Sequence, residues 1–208
     1  MIQTTVKVSG MACSMCEAHI NDAIRAAFSV EKVSSSHSKG LSLIHISELP
    51  EFEKGDRCKM NIVNCAMIGA FILSMPEHPD VERLTEYYAK SMMTKPMKWF
   101  CRKSGKNKFT PKDISGMKAT ATLKAADRNP YSWNMEFYEY PDGSGYEGRF
   151  TKCGICVLMK KLGLYDLTPA LCRLDYTMSE AGGATDFVRQ YTLASGGPYC
   201  DCGYKKKL

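Results

Sequence analysis

The fold of the second half of the chain depends on one stretch, which reads SWNMEFYEY over Ser132–Tyr140, PDGSG over Pro141–Gly145 and YEGRFTK over Tyr146–Lys152. The first and last segments are rich in aromatic residues and alternate in polarity, as strands do. The middle segment concentrates Pro, Asp and Gly, the residues of tight turns. The stretch therefore predicts a β-hairpin within an antiparallel sheet.

Helical patterns flank this hairpin on both sides. We predict helices over Asp56–Ser74, Val81–Met93, Pro96–Cys101, Cys153–Gly163 and Pro169–Gly182. Thr168 would be the N-cap of the last helix. Strands are predicted over Phe187–Ala194 and Tyr199–Tyr204. Helices come first, and an antiparallel sheet with inserted helices follows. The expected fold class is therefore α+β.

The first 46 residues carry a separate pattern. A strand over Thr4–Ser9 leads into a helix, with Ile20, Ile24 and Phe28 at helical spacing. Two further strands are predicted over Val30–Ser36 and Leu41–Ile46. This order predicts a partial ferredoxin-like βαβ(β) fragment.

Cys13 and Cys16 stand at C-x-x-C spacing where this first helix begins. Two thiolates at that spacing can converge on one soft cation, and a helix N-terminus favours the thiolate form. With its flanking strand and helix, the motif GMACSMC over Gly10–Cys16 resembles the heavy-metal-associated domain of copper chaperones. That resemblance implies a domain over residues 1–46 that binds copper(I) or zinc through Cys13 and Cys16.

The resemblance to a metal-binding domain ends near residue 46. The segment LSLIHIS over Leu41–Ser47 also matches the translation of a transposon-end adaptor used in sequencing libraries. One hypothesis is therefore that two unrelated reading frames were joined here. The alternative is a genuine strand with an alternating pattern.

Five cysteines fall in the last 56 residues, namely Cys153, Cys156, Cys172, Cys200 and Cys202. Three interpretations remain open: soft-metal ligands, a nucleophile assisted by a carboxylate such as Asp175, and small buried side chains. No histidine lies in this stretch, so a nucleophilic cysteine needs another base or a lowered pKa.

These cysteines belong to a longer pattern. It comprises Cys153 and Cys156 before KKLGL at Lys160–Leu164, then Thr168-Pro169-x-x-Cys172-x-x-Asp175, Arg189, Thr192-Leu193-Ala194, Gly196-Gly197 and Cys200-Asp201. The pattern resembles the L-2-amino-thiazoline-4-carboxylic acid hydrolase family, over a domain placed at residues 48–208. The resemblance implies that water adds to C2 of a cyclic isothiourea and that a ring C–N bond breaks, leading through S-carbamoyl-cysteine to cysteine.

That reaction suggests which residues form the site. We predict catalytic roles for Cys172, Asp175, Cys200 and Asp201. Arg189 would bind the substrate carboxylate through its forked donors, and the backbone N–H groups of Gly196 and Gly197 would bind a developing negative charge. Cys153 and Cys156 form a second candidate metal site.

Composition limits the partners. The 28 Lys and Arg against 22 Asp and Glu give a net charge of +6, and the 208 residues contain ten cysteines. With no signal sequence and no long apolar run, we expect a cytoplasmic protein with reduced thiols, a small-molecule substrate and a metal ion, without nucleic-acid or membrane partners. Two alternatives to the hydrolase remain: a soft-metal binding protein and a non-catalytic, cysteine-rich metal or redox sensor.

Overall fold

The computed structural model describes residues 2–8, 11–27, 30–46, 52, 56 and 58–207, which form two compact units, Met1–Pro79 and Asp80–Leu208. The helices are α1 Ser14–Ala27, α2 Cys58–Leu73, α3 Val81–Met92, α4 Lys95–Gly105, α5 Pro111–Ala125, α6 Gly154–Lys161, α7 Thr168–Cys172 and α8 Leu174–Gly182. The strands are β1 Ile2–Lys7, β2 Val30–Ser36, β3 Leu41–Ile46, β4 Glu136–Glu139, β5 Gly145–Phe150, β6 Thr185–Val188 and β7 Cys200–Lys206. The α+β class is confirmed. None of the described helices is both long and apolar enough to cross a membrane.

The first unit is a three-stranded sheet with two helices. Strand β3 lies between β1 and β2 and is antiparallel to both. Val6, Ile24 and Val33 form its buried core, because the sheet and α1 each present one apolar face. Met67 and Ala70 of α2 pack against that core.

The contribution of α2 could not be predicted from the pattern of the first 46 residues. Residues of this helix pack against the core of the first unit, although eleven residues separate Ile46 from its start at Cys58. The boundary near Glu48 stays a prediction, as do the metal-domain resemblance and the joined reading frames. Ser9, Gly10, Phe28, Ser47 and Glu48 lie outside the described residues.

The second unit is built on a four-stranded antiparallel sheet of order β4-β5-β7-β6. The predicted hairpin is confirmed as β4 and β5, with Glu139 opposite Tyr146. Its turn is closed by the Asp142 carboxylate, which accepts a hydrogen bond from the Ser144 N–H at 2.9 Å. The turn residues therefore determine this pairing, as the sequence indicated.

Two predicted elements are wrong in detail. The helix predicted over Pro169–Gly182 breaks at Arg173 into α7 and α8, and Thr168 is the first residue of α7 and not its cap. The strand predicted over Phe187–Ala194 ends at Val188, and Leu193–Ser195 forms a 3-10 turn. At the first position the Cys172 carbonyl accepts a hydrogen bond from Arg189. At the second, the N–H groups of Gln190 and Tyr191 donate to the Asp201 carboxylate.

Helix α5 was not predicted at all. Its N-terminal end is well marked, because Thr110 accepts from the Asp113 N–H at 3.2 Å and Pro111 occupies the first turn. Yet all of its residues are described and none is buried. A helix without an apolar face has no periodic signal, so only its caps could have revealed it.

A buried polar network fixes the α4–α5 connection to the sheet. The Tyr146 hydroxyl donates to the Asp113 carboxylate at 2.7 Å and accepts from the Lys108 ammonium at 2.8 Å. Tyr146 is 1 % exposed, and burial raises its pKa, helped by the Asp113 hydrogen bond and charge. Phe109 between these partners has φ 63°, a conformation that bulky residues rarely adopt.

Replacing Tyr146 by phenylalanine should therefore destabilise the fold. The variant keeps the ring but leaves the half-buried Lys108 ammonium and Asp113 carboxylate without their common partner, which costs about 2 kcal/mol. Chemical denaturation of Tyr146→Phe measures this loss. The matched control is Tyr138→Phe, since Tyr138 is exposed and donates to Glu136 at the surface. Equal stabilities for the two variants would contradict a structural role for the network.

Candidate active site at the start of helix α6

Cys153 is the residue that immediately precedes α6. Its backbone is extended, with φ −136° and ψ 115°, as at a helix N-cap. In this position the side chain can turn back over the first N–H groups of the helix. Cys153 is 9 % exposed, so its sulfur lies at the margin of the core.

The surroundings of Cys153 favour a thiolate. A hydrogen bond from the Cys156 thiol has the largest effect and lowers the pKa of Cys153. Burial opposes this, but the N–H groups of Cys156 and Ile155 and the side chain of Trp133 lower the pKa further, to about 7. Cys153 is thus ionised to a large extent at neutral pH, and the thiolate is the nucleophilic form of cysteine.

The segment before the hairpin holds this arrangement in place. The Lys152 ammonium donates to the carbonyl groups of Asp127 at 2.8 Å and Asn129 at 3.0 Å. The Asn134 side chain accepts from the Lys152 N–H at 2.7 Å. Gly154 lies so close to Tyr131 that an added Cβ would overlap its carbonyl oxygen. The start of α6 and the Trp133 segment are therefore locked together.

Three other thiols lie near Cys153, those of Cys156, Cys172 and Cys200, and together these four form the thiol cluster. The three other thiols are neutral. The pKa of Cys156 is raised by its hydrogen bond to Cys153 and by burial. Burial and then the charge of Cys153 raise the pKa of Cys172, and burial raises the pKa of Cys200, whose sulfur accepts from the Leu193 N–H at 3.2 Å. The structure thus concentrates ionisation on one sulfur of the cluster. It gives Cys172 the character of a thiol, which is a weak nucleophile.

Tyr165 completes the cluster. Its hydroxyl donates to the Leu193 carbonyl at 2.9 Å, and it also lies beside Cys156. Burial and the neighbouring Cys156 raise the pKa of Tyr165, which keeps it protonated. The site therefore combines one anionic sulfur with neutral donors around it.

Arg189 and Asp175 lie together in the structure and form an ion pair within the protein. Arg189 donates to the Asp175 carboxylate at 2.6 Å, to the Cys172 carbonyl at 2.9 Å and to the Cys202 sulfur at 2.8 Å. Burial lowers the pKa of Arg189, but the Asp175 charge outweighs it and the net shift is upward. The side chain of Arg189 is 6 % exposed and its donors are engaged, which argues against the predicted role in binding a substrate carboxylate.

Replacing Arg189 by methionine distinguishes these two roles. We expect a loss of about 2 kcal/mol in unfolding free energy, because the variant leaves buried carbonyl groups and a partly exposed Asp175 without their cation. A thermal or chemical denaturation curve measures it. Lys160→Met, which removes an exposed cation from α6, is the control and should change stability little. A folded Arg189 variant of unchanged stability with a raised KM would instead support carboxylate binding.

Asp201, Gly196 and Gly197 hold their own loop. The two carboxylate oxygens of Asp201 accept from the N–H groups of Gln190 at 2.7 Å and Tyr191 at 2.6 Å. The N–H of Gly196 donates to Leu193 at 3.2 Å, and that of Gly197 donates to Thr192 at 2.9 Å. These groups are used for local structure, so the geometry argues against a catalytic Asp201 and against a charge-binding role for the glycines.

The geometry gives little support to the metal site predicted at Cys153 and Cys156. Within the described residues, no group of three or more His, Cys, Asp or Glu side chains could hold a metal ion. Cys153 and Cys156 therefore lack further ligands in that part of the chain. The Cys13 and Cys16 sulfurs lie 3.8 Å apart, close enough for two thiolates to share one soft cation.

A shallow cavity of about 520 Å³ lies on the same unit. Its lining includes Tyr140, Asp142, Gln190, Asp201 and Lys205. None of the cysteines lines it. Asp201 and Arg189 are among its lining residues, but their side chains make hydrogen bonds to other groups of the protein.

Sequence reasoning missed two residues beside the cysteines, Trp133 and Tyr165. The C-x-x-C spacing of Cys153 and Cys156 before a helical pattern was visible, but it was interpreted as a metal site. The same spacing at a helix N-terminus is also the signal for a lowered thiol pKa. Trp133 had no such signal, since only the fold brings it to Cys153.

Comparison with known proteins supplies the family. No curated protein and no solved structure matches the chain. A family model described as L-2-amino-thiazoline-4-carboxylic acid hydrolase matches residues 60–204, well over half of the 208 residues and all of the thiol cluster. The chain therefore belongs to the L-2-amino-thiazoline-4-carboxylic acid hydrolase family.

Proposed function

We propose that this chain hydrolyses a C–N bond of a cyclic isothiourea, with L-2-amino-thiazoline-4-carboxylate as substrate and Cys153 as nucleophile. The family match supports a hydrolase at the family level. The lowered pKa of Cys153, produced by the Cys156 thiol and the N–H groups of α6, is the observation that carries the assignment of the nucleophile.

The reaction proceeds in two steps that consume one water. The Cys153 thiolate adds to C2 of the ring, and the bond from C2 to the ring nitrogen breaks as that nitrogen takes a proton. C2 is then bonded to the exocyclic nitrogen, to the former ring sulfur and to Cys153. Water next adds to C2 and expels the Cys153 thiolate, which leaves S-carbamoyl-cysteine.

A lowered pKa helps both steps. It makes the thiolate available at neutral pH, and it makes Cys153 a better leaving group than the ordinary thiolate of the substrate. Cys156 is well placed to supply the proton. Its pKa is raised in part by the charge of Cys153, so it becomes a stronger acid once Cys153 is bonded to carbon.

The test uses the purified full-length chain and L-2-amino-thiazoline-4-carboxylate. Ring opening is followed by mass spectrometry as the addition of one water, and the thiol released later is titrated. Trapping of a species with substrate bonded to Cys153, identified by peptide mapping, supports the covalent route. Turnover in the Cys153→Ser variant at the wild-type rate would refute it.

The pKa of Cys153 also predicts a pH dependence. The value of about 7 lies below the ordinary 9.0, so kcat/KM should rise with pH around a midpoint near 7 and then level off. The free energy of unfolding changes with pH in the same direction. The stabilisation that comes from the Cys153 thiolate is full above pH 9 and is lost as the pH falls through about 7. Alkylation of the Cys153 peptide by iodoacetamide, measured against pH, checks the midpoint. A midpoint near 9 would contradict it.

A second function is proposed for Cys13 and Cys16, that of binding a soft metal ion. Their sulfurs are 3.8 Å apart and accessible, and backbone hydrogen bonds from Ala12 and Cys13 lower the pKa of Cys16. Copper(I) or zinc suits such ligands. Competition with a colorimetric chelator measures the affinity of the full chain; Cys13→Ser should abolish it and Cys172→Ser should not.

A further inference from the structure

We propose that Cys153 and Cys156 form a redox-active dithiol, which closes into a disulfide by exchange with disulfides of small thiols and thereby switches off hydrolysis. The exchange reaction goes beyond the hydrolase activity. Only the effect on hydrolysis rests on the proposed function.

The first argument is the geometry of the pair. Cys153 is the N-cap of α6 and Cys156 is the third residue of that helix, so the two cysteines stand at C-x-x-C spacing at a helix start. The side chain of an N-cap residue reaches toward the third residue of its helix, so the two sulfurs can approach each other. Because Cys153 is an N-cap with an extended backbone, rotation of its side chain requires no change in the helix.

The second argument is selectivity. Exchange begins with a thiolate, and in this cluster the surroundings favour ionisation of Cys153. Cys172, Cys200 and Cys202 have raised pKa values, and the sulfur of Cys202 is held by Arg189 at 2.8 Å. Cys156 is therefore the thiol that follows, since it is the third residue of the helix that Cys153 caps.

The reaction balances without a further reactant. The Cys153 thiolate attacks one sulfur of the small disulfide, forms a mixed disulfide and releases one small thiolate. Cys156 then loses its proton to solvent base and attacks the Cys153 sulfur, which releases the second small thiolate. The protein pair loses two electrons, and the small disulfide gains them as two thiols.

The consequence for the hydrolase follows from the same sulfur. A Cys153 that is bonded to Cys156 has no lone thiolate to add to C2, so the oxidised protein should lack turnover. Reduction by excess thiol restores the thiolate. The device would couple hydrolysis to the thiol–disulfide balance around the protein.

The experiment treats the full-length chain with oxidised glutathione, quenches with acid, alkylates and digests with trypsin. Cleavage after Lys152 and Lys160 gives one peptide, Cys153–Lys160, that contains only these two cysteines. We expect this peptide to escape alkylation and to be lighter by two hydrogens. In Cys156→Ser the same peptide should instead carry one glutathione, and Cys172→Ser should behave as wild type.

Each outcome has a defined meaning. A peptide that stays alkylated at both sulfurs, or a bridge from Cys153 to Cys172, overturns the proposal. A bridged peptide in a protein whose hydrolysis continues overturns the switch alone. A bridged peptide in a protein that never opens the thiazoline ring, even when reduced, upholds the dithiol and refutes the proposed function.

Discussion

Cys153→Ser is expected to lower kcat/KM for ring opening by about 10³-fold or more. Serine is close in size, so the fold persists, but its hydroxyl stays protonated where the Cys153 pKa is about 7. The variant therefore removes the anionic nucleophile and little else. Steady-state kinetics on the thiazoline, with circular dichroism to confirm folding, measures the effect.

Cys172→Ser is the matched control. Cys172 is part of the same cluster and carries the pattern Thr168-Pro169-x-x-Cys172, but burial and the Cys153 charge raise its pKa. A neutral thiol replaced by a hydroxyl should change kcat/KM by less than about tenfold. The opposite ranking, with Cys172→Ser inactive and Cys153→Ser active, would restore Cys172 as nucleophile.

Gly154→Ala is expected to cost about 3 kcal/mol of unfolding free energy. The added Cβ meets the Tyr131 carbonyl oxygen and carbon, which are backbone atoms and cannot move aside as a flexible side chain would. Relief requires the Tyr131–Trp133 segment to separate from α6. Turnover should fall as well, since Trp133 helps to lower the pKa of Cys153.

Gly116→Ala in α5 provides the comparison. Apart from its chain neighbours and the backbone of its own helix, no atom lies within 4 Å of the position of its Cβ, and α5 has no buried residue. Alanine should therefore stabilise this helix by about 0.5–1 kcal/mol. Urea denaturation of both variants gives the two values. Similar small effects at both glycines would contradict the close approach at Gly154.

Local patterns account for much of the fold but not for how its parts are combined. The hairpin around Pro141–Gly145 was predictable, because its turn residues and flanking strands act over a few residues. Helix α5 lacked an apolar face, and the break at Arg173 between α7 and α8 has no proline or glycine to mark it. The break coincides with a hydrogen bond from Arg189 to the Cys172 carbonyl, a contact distant in sequence, whereas α5 is marked only by its local N-cap.

The candidate site shows the same division. The sequence by itself determined the C-x-x-C pair at the start of a helix and the family pattern around Cys172, Arg189 and Asp201, because these are properties of residue type and spacing. Only the tertiary structure decided their roles. It places Trp133 against Cys153 and directs Arg189 to Asp175, and a thiol pKa or a free guanidinium depends on just such neighbours.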